Sequence, residues 1–532
     1  MRKSTGLACL LLAACAGAFA AEPPAIPDRA AAETFKDAPA PWRDYLVQAR
    51  AAERIADPLQ RCLAFPDIPG NKWPAGHAAA HCRHHFGVKR PTLDEIAGMV
   101  ERKEMAQLEA LFDEGVARHF SQDDFSDDIH DTFNYLLTNR DNLERIDRIT
   151  TAWLQQAPNS AYANLARGAY YNGEAWRARG GQYVSETPRE DLRRMSELVG
   201  QAIPYFEKAI SINPRLMPAY TGMIDMGRMD SRDELVEEGI RGAEKWDPAC
   251  PELATQILIS LEPRWGGSYE QMLAYTNKLS ASVARRPQLG VQMAKPFADR
   301  GDMLVLDDQY TKTTLDVLET AIAIGSDEGA LEDAANVAGK LSDAEPDGWK
   351  ALAYLLQDAR FDGGSPWALR ELAWHLMHRH EWEWSLKYSL RSLEREPGSG
   401  FAHYVAGAGY YGSNRYPEAD REYAAAIEDP RQRQASLREV AEMWLFADAK
   451  DQTARAKAKP YIDQLLHEYP NDGRGWILDL QRRMITHQPF DVAMIKTVLA
   501  KVDRSDDWQA RQAEWLEGVI RQMQSPPQKT KH

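Results

Sequence analysis

Ala202-x2-Tyr205-Phe206-Glu207-Lys208-Ala209-Ile210-Ser211-Ile212-Asn213-Pro214 is the stretch from which the fold is read. Ala202, Phe206 and Ala209 recur three or four residues apart, so they share one face of a helix. Pro214 closes that helix, because proline lacks the amide donor and clashes with the preceding turn. The arrangement repeats at a fixed step. Pro248 follows Pro214 by 34 residues, and Pro397 and Pro430 stand 33 apart. Gly407-x2-Tyr410, then Ala419-x3-Tyr423, Ala426 and Pro430, supply both helices of a further unit. Small residues let paired helices approach, and an aromatic fills the gap to the next pair.

Alanine three residues and an aromatic later, then a closing proline, resembles the second helix of a tetratricopeptide repeat. The rest of the chain agrees. Leu108, Leu111, Phe112, Gly115 and Val116 form another helical stripe, and alternating β-branched segments with hairpin turns are missing. Thr92-Leu93-Asp94-Glu95 and Ser231-Arg232-Asp233-Glu234 fit the capping box, and Thr187-Pro188 predicts proline at the first helical position. The fold expected is all-α: a right-handed tetratricopeptide-like solenoid of helix hairpins over 143–524, preceded by a non-repeat helical cap over 42–142. Pro158 to Pro214 exceeds one repeat, which places an insertion at 173–196. Arg264-Trp265-Gly266-Gly267-Ser268 is echoed by Arg360-Phe361-Asp362-Gly363-Gly364-Ser365, and both read as glycine-permitted corners capped by serine.

Residues 1–20 read as an export signal, with Arg2 and Lys3 before an apolar run. Two processing readings stay open: release after Ala18-Phe19-Ala20, or a lipobox, Leu12-Ala13-Ala14-Cys15, that lipidates Cys15. Residues 21–41 read as a flexible lead-in and 525–532 as a disordered tail. Oxidising surroundings predict a Cys62–Cys82 disulfide around the loop Phe65–Gly70. A metal site at His77, His81, His85 and Cys82 is the rival, and a solvated histidine face the plainer reading of those imidazoles. Cys250 is left as a buried small side chain.

Across 532 residues, 44% hydrophobic and 27% charged, the composition is that of a folded soluble protein. A net charge of −15 argues against nucleic acid or an anionic lipid face as partner. No motif carries catalysis. Gly407-Ala408-Gly409-Tyr410-Tyr411-Gly412 matches a dinucleotide fingerprint, but no strand precedes it and its glycines occupy helix-packing positions. Asp123, Asp124, Asp127 and Asp128 lack the central glycine of a calcium loop and read as the solvated start of a helix. Trp374-His375-Leu376-Met377-His378-Arg379-His380 scatters its imidazoles round the helix. No catalytic residue, metal ligand or cofactor is assigned.

Surface recognition remains. In tetratricopeptide arrays the first helix of each pair lines a groove that binds peptides or partner helices. That resemblance places Trp367, Arg370, Trp374 and His378 on the inner face of one unit, and Phe401, Tyr404 and Tyr411 on the next. Trp176, Arg177 and Arg179 of the insertion are second-tier candidates. The chain also resembles an uncharacterised family of exported proteobacterial proteins with helical-repeat character. Asp57-Pro58 through Arg61-Cys62-Leu63-Ala64-Phe65-Pro66-Asp67, Ala175-Trp176-Arg177-Ala178-Arg179-Gly180 and Pro263-Arg264-Trp265-Gly266-Gly267-Ser268 carry that likeness, which implies a fold and no activity. The expected function is a non-catalytic scaffold of the bacterial envelope, periplasmic or lipid-tethered, for a protein or peptide partner. The alternative is an envelope hydrolase with its cleft at the insertion and the Gly-Gly corners.

Overall fold

A computed structural model describes residues 25–28, 35–121, 126–341, 347–361, 363–447 and 452–524. The signal with Cys15, the tail, and Asp123 and Asp124 lie outside the described residues. Twenty-six α-helices and no strand occur among them. Among the described residues there are two compact bodies, one within Arg29–Leu372 and one from Ala373 onward together with residues 25–28.

The first body begins with α1 (Trp42–Glu53), α2 (Pro58–Ala64), α3 (His77–Phe86), α4 (Leu93–Glu101), α5 (Met105–His119) and the single turn α6 (Asp128–His130). There follow α7 (Leu143–Gln156), α8 (Ala161–Arg179), α9 (Arg189–Ile212), α10 (Met217–Met229), α11 (Asp233–Glu244) and α12 (Pro251–Ser260). It continues through α13 (Tyr269–Leu279), α14 (Gly290–Leu306), α15 (Lys312–Ile324), α16 (Glu328–Leu341) and α17 (Asp347–Arg360). The division falls within α18 (Pro366–Met377). The second body then holds α19 (Trp382–Arg395), α20 (Gly400–Gly412), α21 (Tyr416–Ile427), α22 (Arg433–Phe446), α23 (Gln452–Glu468), α24 (Gly473–Ile485), α25 (Val492–Leu499) and α26 (Asp507–Gln524).

Packing follows the chain order of a helical-repeat array. Within each body a helix rests chiefly on its sequence neighbours, as α8 on α9, α10 on α11, α20 on α21 and α22 on α23. Even-numbered helices also touch one another, α8 through α16 in the first body and α20 through α26 in the second. We call this shared layer inner because its helices touch one another, and the intervening helices form the other layer.

The quoted stretch shows why. Phe206 on α9 is 1% exposed, and a Cβ added at Gly168 of α8 or Gly222 of α10 would come within 2.7 Å of its ring. One aromatic therefore occupies two backbone notches and joins three successive helices. Tyr423 repeats the device on α21, with 2.8 Å to a Cβ built at Gly407. Gly407 to Gly412 accordingly lies inside α20 as packing surface, and the dinucleotide fingerprint is a coincidence of letters.

Local signals fared unevenly. Thr92 accepts from Glu95 N and the Glu95 carboxylate returns the bond, the full capping box. Ser231 does not cap α11, because the preceding helix claims it. It sits at φ 54°, and Arg232 N donates to Gly227 O at 2.8 Å, closing α10 instead. Pro188 stands at the cap position, one residue before α9 begins. Both Gly-Gly corners are as read: Gly266 and Gly364 have φ of 94° and 95°, and Ser268 and Ser365 accept from Gln271 N and Ala368 N. The insertion is mostly helix, since α8 and α9 run to 19 and 24 residues and leave only the turn 180–188 between them.

The N-terminal segment departs most from expectation. Cys62 and Cys82 are bridged. Yet α1–α3 do not close the start of the array; they lie along α14–α17, roughly 250–300 residues later in the chain. Tyr45 donates to Ala353 O, Lys72 N to Ala323 O, and Trp73 Nε1 to Ile322 O. Arg360, 5% exposed, donates to Cys62 O, Pro66 O and Asp67. By contrast α4 packs on α7 and α6 on α10, among the first repeat helices. Replacing Arg360 by Met keeps the apolar stem but strands two carbonyls and a carboxylate. Arg360→Met should cost about 2–4 kcal/mol in urea unfolding and expose the 63–76 loop to proteolysis first.

Candidate functional site

The residues expected to line a groove fall in both bodies. Trp367 and Arg370 belong to the first, where both are half-buried and Arg370 lies 4.0 Å from Glu371. In the second, Trp374 is half-buried with the exposed His378 ring edge-on at 4.3 Å. Phe401, Tyr404 and Tyr411 are half-buried on α20, an inner-layer helix. Phe401 stacks on Tyr404, which meets Tyr423 edge-on.

Beside these tyrosines the next inner helix presents Arg438, Glu439 and Glu442, and α24 presents Arg474. Arg474 Nη1 lies 3.8 Å from Glu439, while Arg438 is directed to Asp472 at 2.5 Å. Burial first, then the neighbouring Glu442, raises the Glu439 pKa to about 7, and burial raises Glu442 as well. The Tyr423 hydroxyl, buried beneath, has no hydrogen-bond partner among the described residues. The strip is thus aromatic, half-dry and acidic. Sequence reading missed its charged half, although one 34-residue step from Tyr404 lands on Arg438. The first body carries a similar feature on α14 and α16: burial raises Asp302 and lifts Asp333 to about 7.

The second-tier residues are engaged within the fold. Trp176 Nε1 donates to Asp225 at 2.8 Å, Arg177 to Glu174, and Arg179 to Gln182 O and Thr187. His77, His81 and His85 do share one face of α3, but as packing rather than a solvated surface. His77 is 1% exposed between Pro287 O and Ser326, and burial lowers its pKa to about 4.

A polar pocket of about 150 Å³ in the first body went unread. Its lining includes His81, His130, Asp131, Tyr135, Glu252 and Gln292. Tyr135 donates to Glu252 at 3.2 Å, Gln256 donates to its other oxygen, and burial raises the Glu252 pKa. His130 Nε2 and Gln292 Oε1, both buried, make no hydrogen bond among the described residues. At its floor Asp127, expected in solvent, is 8% exposed, and Asp128 is 5% exposed and paired with Arg118. One oxygen of Asp127 lies 2.5 Å from His130 Nδ1 and 3.0 Å from His119 Nδ1. His119 Nε2 lies 3.0 Å from Asp247, which Arg286 holds.

Electrostatics at that floor run against simple burial. Desolvation alone raises an aspartate, yet the His130 charge and the bonds to His119 and His130 hold Asp127 well below the usual range. His119 is correspondingly held well above, its desolvation outweighed by Asp127 and Asp247. Cys250 is buried, free, and pushed up to about 11 by burial. Among the described residues, two groups have metal-ligand chemistry: His119, Asp127, His130 and Cys250, and Glu328, Glu332 and Asp358. The second is committed to the corner, since Glu332 receives Ser365 N and Oγ and Glu328 receives Gly364 N.

No protein-family model and no curated protein matches the chain. Similar solved structures include the APC/C hetero-tetramer Cut9–Hcn1, at 12% identity and a TM-score of 0.33 over 89% of this chain and 90% of that one. The human IFIT1 dimer with PPP-AAAA aligns at 14% identity and a TM-score of 0.23 over 66% and 91%. Yeast Tom70 aligns at 11% identity and a TM-score of 0.24 over 75% and 98%.

Glu439 gives a pH test. Its folded pKa lies above the ordinary 4.5, so between about pH 4.5 and 7 the folded state holds the proton more tightly and stability falls as pH rises. Glu439→Gln should therefore raise the melting temperature at pH 8, by at most about 3 kcal/mol of stability, with the gain shrinking toward pH 4.5. Melting curves across that range check the sign.

Proposed function

We propose that this chain is an exported helical-repeat scaffold that holds a protein or peptide partner against the inner-layer strip of its second body. The observation that carries this is the Glu439–Glu442 pair: two half-buried carboxylates among tyrosines, with Arg474 3.8 Å from Glu439 and the neighbouring Arg438 turned to Asp472. A partner lysine or arginine flanked by apolar residues would supply the missing positive charge and cover the rings. Asp302 and Asp333 on the inner helices of the first body, and the net charge of −15, favour the same basic partner. The reading is of binding without catalysis.

Export rests on the signal-like residues 1–20 and on the Cys62–Cys82 bridge, which suits an oxidising compartment. The resemblance to exported proteobacterial proteins agrees with the bacterial envelope. Cys15→Ser separates the two processing routes: a lipid-tethered protein would move from the membrane to the soluble fraction, whereas a released one is soluble in both forms.

The binding test uses envelope extract and the full chain. Wild type should retain a basic partner at low salt and release it as salt rises. Glu439→Gln with Glu442→Gln, and separately Tyr404→Ala, should reduce recovery at least tenfold. Equal recovery by all forms would remove the strip as the binding surface.

A further inference from the structure

We infer that His119, Asp127, His130 and Cys250 form a site for one divalent transition-metal ion, opening onto the polar pocket of the first body. One ligand atom from each of the four lies within 4.8 Å of the others. Two imidazoles, a carboxylate and a thiolate are a complete four-coordinate set for a borderline-soft ion, which favours zinc over calcium or magnesium. The surroundings match what such sites need. Asp247 lies 3.0 Å from His119 Nε2 and is itself held by Arg286, so a buried carboxylate orients one imidazole and leaves Nδ1 facing Asp127. Cys250 stands at the N-cap of α12, its sulfur accepting Leu253 N at 3.5 Å, and a bound cation would ionise a thiol that burial otherwise keeps neutral.

A second, independent observation points to an occupant. His130 is 1% exposed, lines the pocket, and its Nε2 has no hydrogen-bond partner among the described residues. With Nδ1 donating to Asp127, Nε2 carries the free lone pair, and a buried acceptor left unmade is costly in a site otherwise so fully paired. Charge also closes: an ionised aspartate and thiolate balance a divalent cation, while Asp247 is already met by Arg286. His130 and Asp127 belong both to the ligand group and to the pocket wall.

The test strips the full-length protein with chelator and titrates it with Co2+, then Zn2+. One equivalent of cobalt should bring a thiolate-to-metal absorption in the near ultraviolet, and one equivalent of zinc should abolish it. Cys250→Ser should lose that absorption, and His130→Ala should bind zinc at least tenfold more weakly. Zinc should raise the melting temperature of wild type and not of Cys250→Ser. Should a variant fail to fold, the wild-type cobalt spectrum alone decides. Absence of the absorption in wild type, or equal zinc binding by wild type and a folded Cys250→Ser, would leave a proton-bridged network only and overturn the site. Neither result bears on the strip of the second body.

Discussion

An aromatic ring seated in glycine notches is the contact on which this architecture rests. Phe206 fills the space that side chains at Gly168 and Gly222 would occupy. Three helices are thereby held at a separation that a β-carbon would forbid. Dispersion between close-packed surfaces and the area removed from water do the work, and both fall steeply with distance. Because α9 touches both α8 and α10 through one side chain, each hairpin fixes the position of the next. Tyr423 does the same against Gly407 in the second body. No deep central core is required, so the chain grows by addition.

That mode of growth has a consequence for chemistry. An inner layer of neighbouring helices presents partly covered surface rather than a sealed interior, so charged groups there are desolvated without being fully paired. Glu439 and Asp333 are examples, each lifted to about 7 chiefly by burial. Such groups are poor contributors to stability and good receptors for an incoming cation. In the first body the arrangement goes further: α5, α6 and α12 bring His119, Asp127, His130 and Cys250 into one buried group. The same kind of packing thus leaves a half-buried acidic strip in the second body and a pocket of about 150 Å³ in the first.

Much of the fold was legible because its signals are local. Helical period, closing prolines, the Thr92 box and the serine-capped Gly-Gly corners are each decided within about ten residues of chain. Ser231 shows the limit of that reasoning, since the same residue had two possible employers and the end of α10 won. Repeat register pointed to Tyr404 and Tyr411 on α20, but Glu439 and Glu442 lie in a unit whose proline spacing has drifted to 40 residues. The polar floor could not be read at all. Its ligand-type residues are spread from His119 to Cys250, and Asp127 looked like an exposed acidic run until its neighbours were in place. The N-terminal segment was misplaced for the same reason: nothing near Cys62 in the chain announces Arg360.

The notch itself can be measured by a double-mutant cycle between Phe206→Leu and Gly222→Ala, read as unfolding free energy. Each change alone should destabilise, the first by loss of the ring and the second by collision with it. Together they should cost at least about 1 kcal/mol less than their sum, because the smaller side chain leaves room for the added methyl. Strict additivity would contradict the account, since it would mean that the ring and the glycine do not share a space.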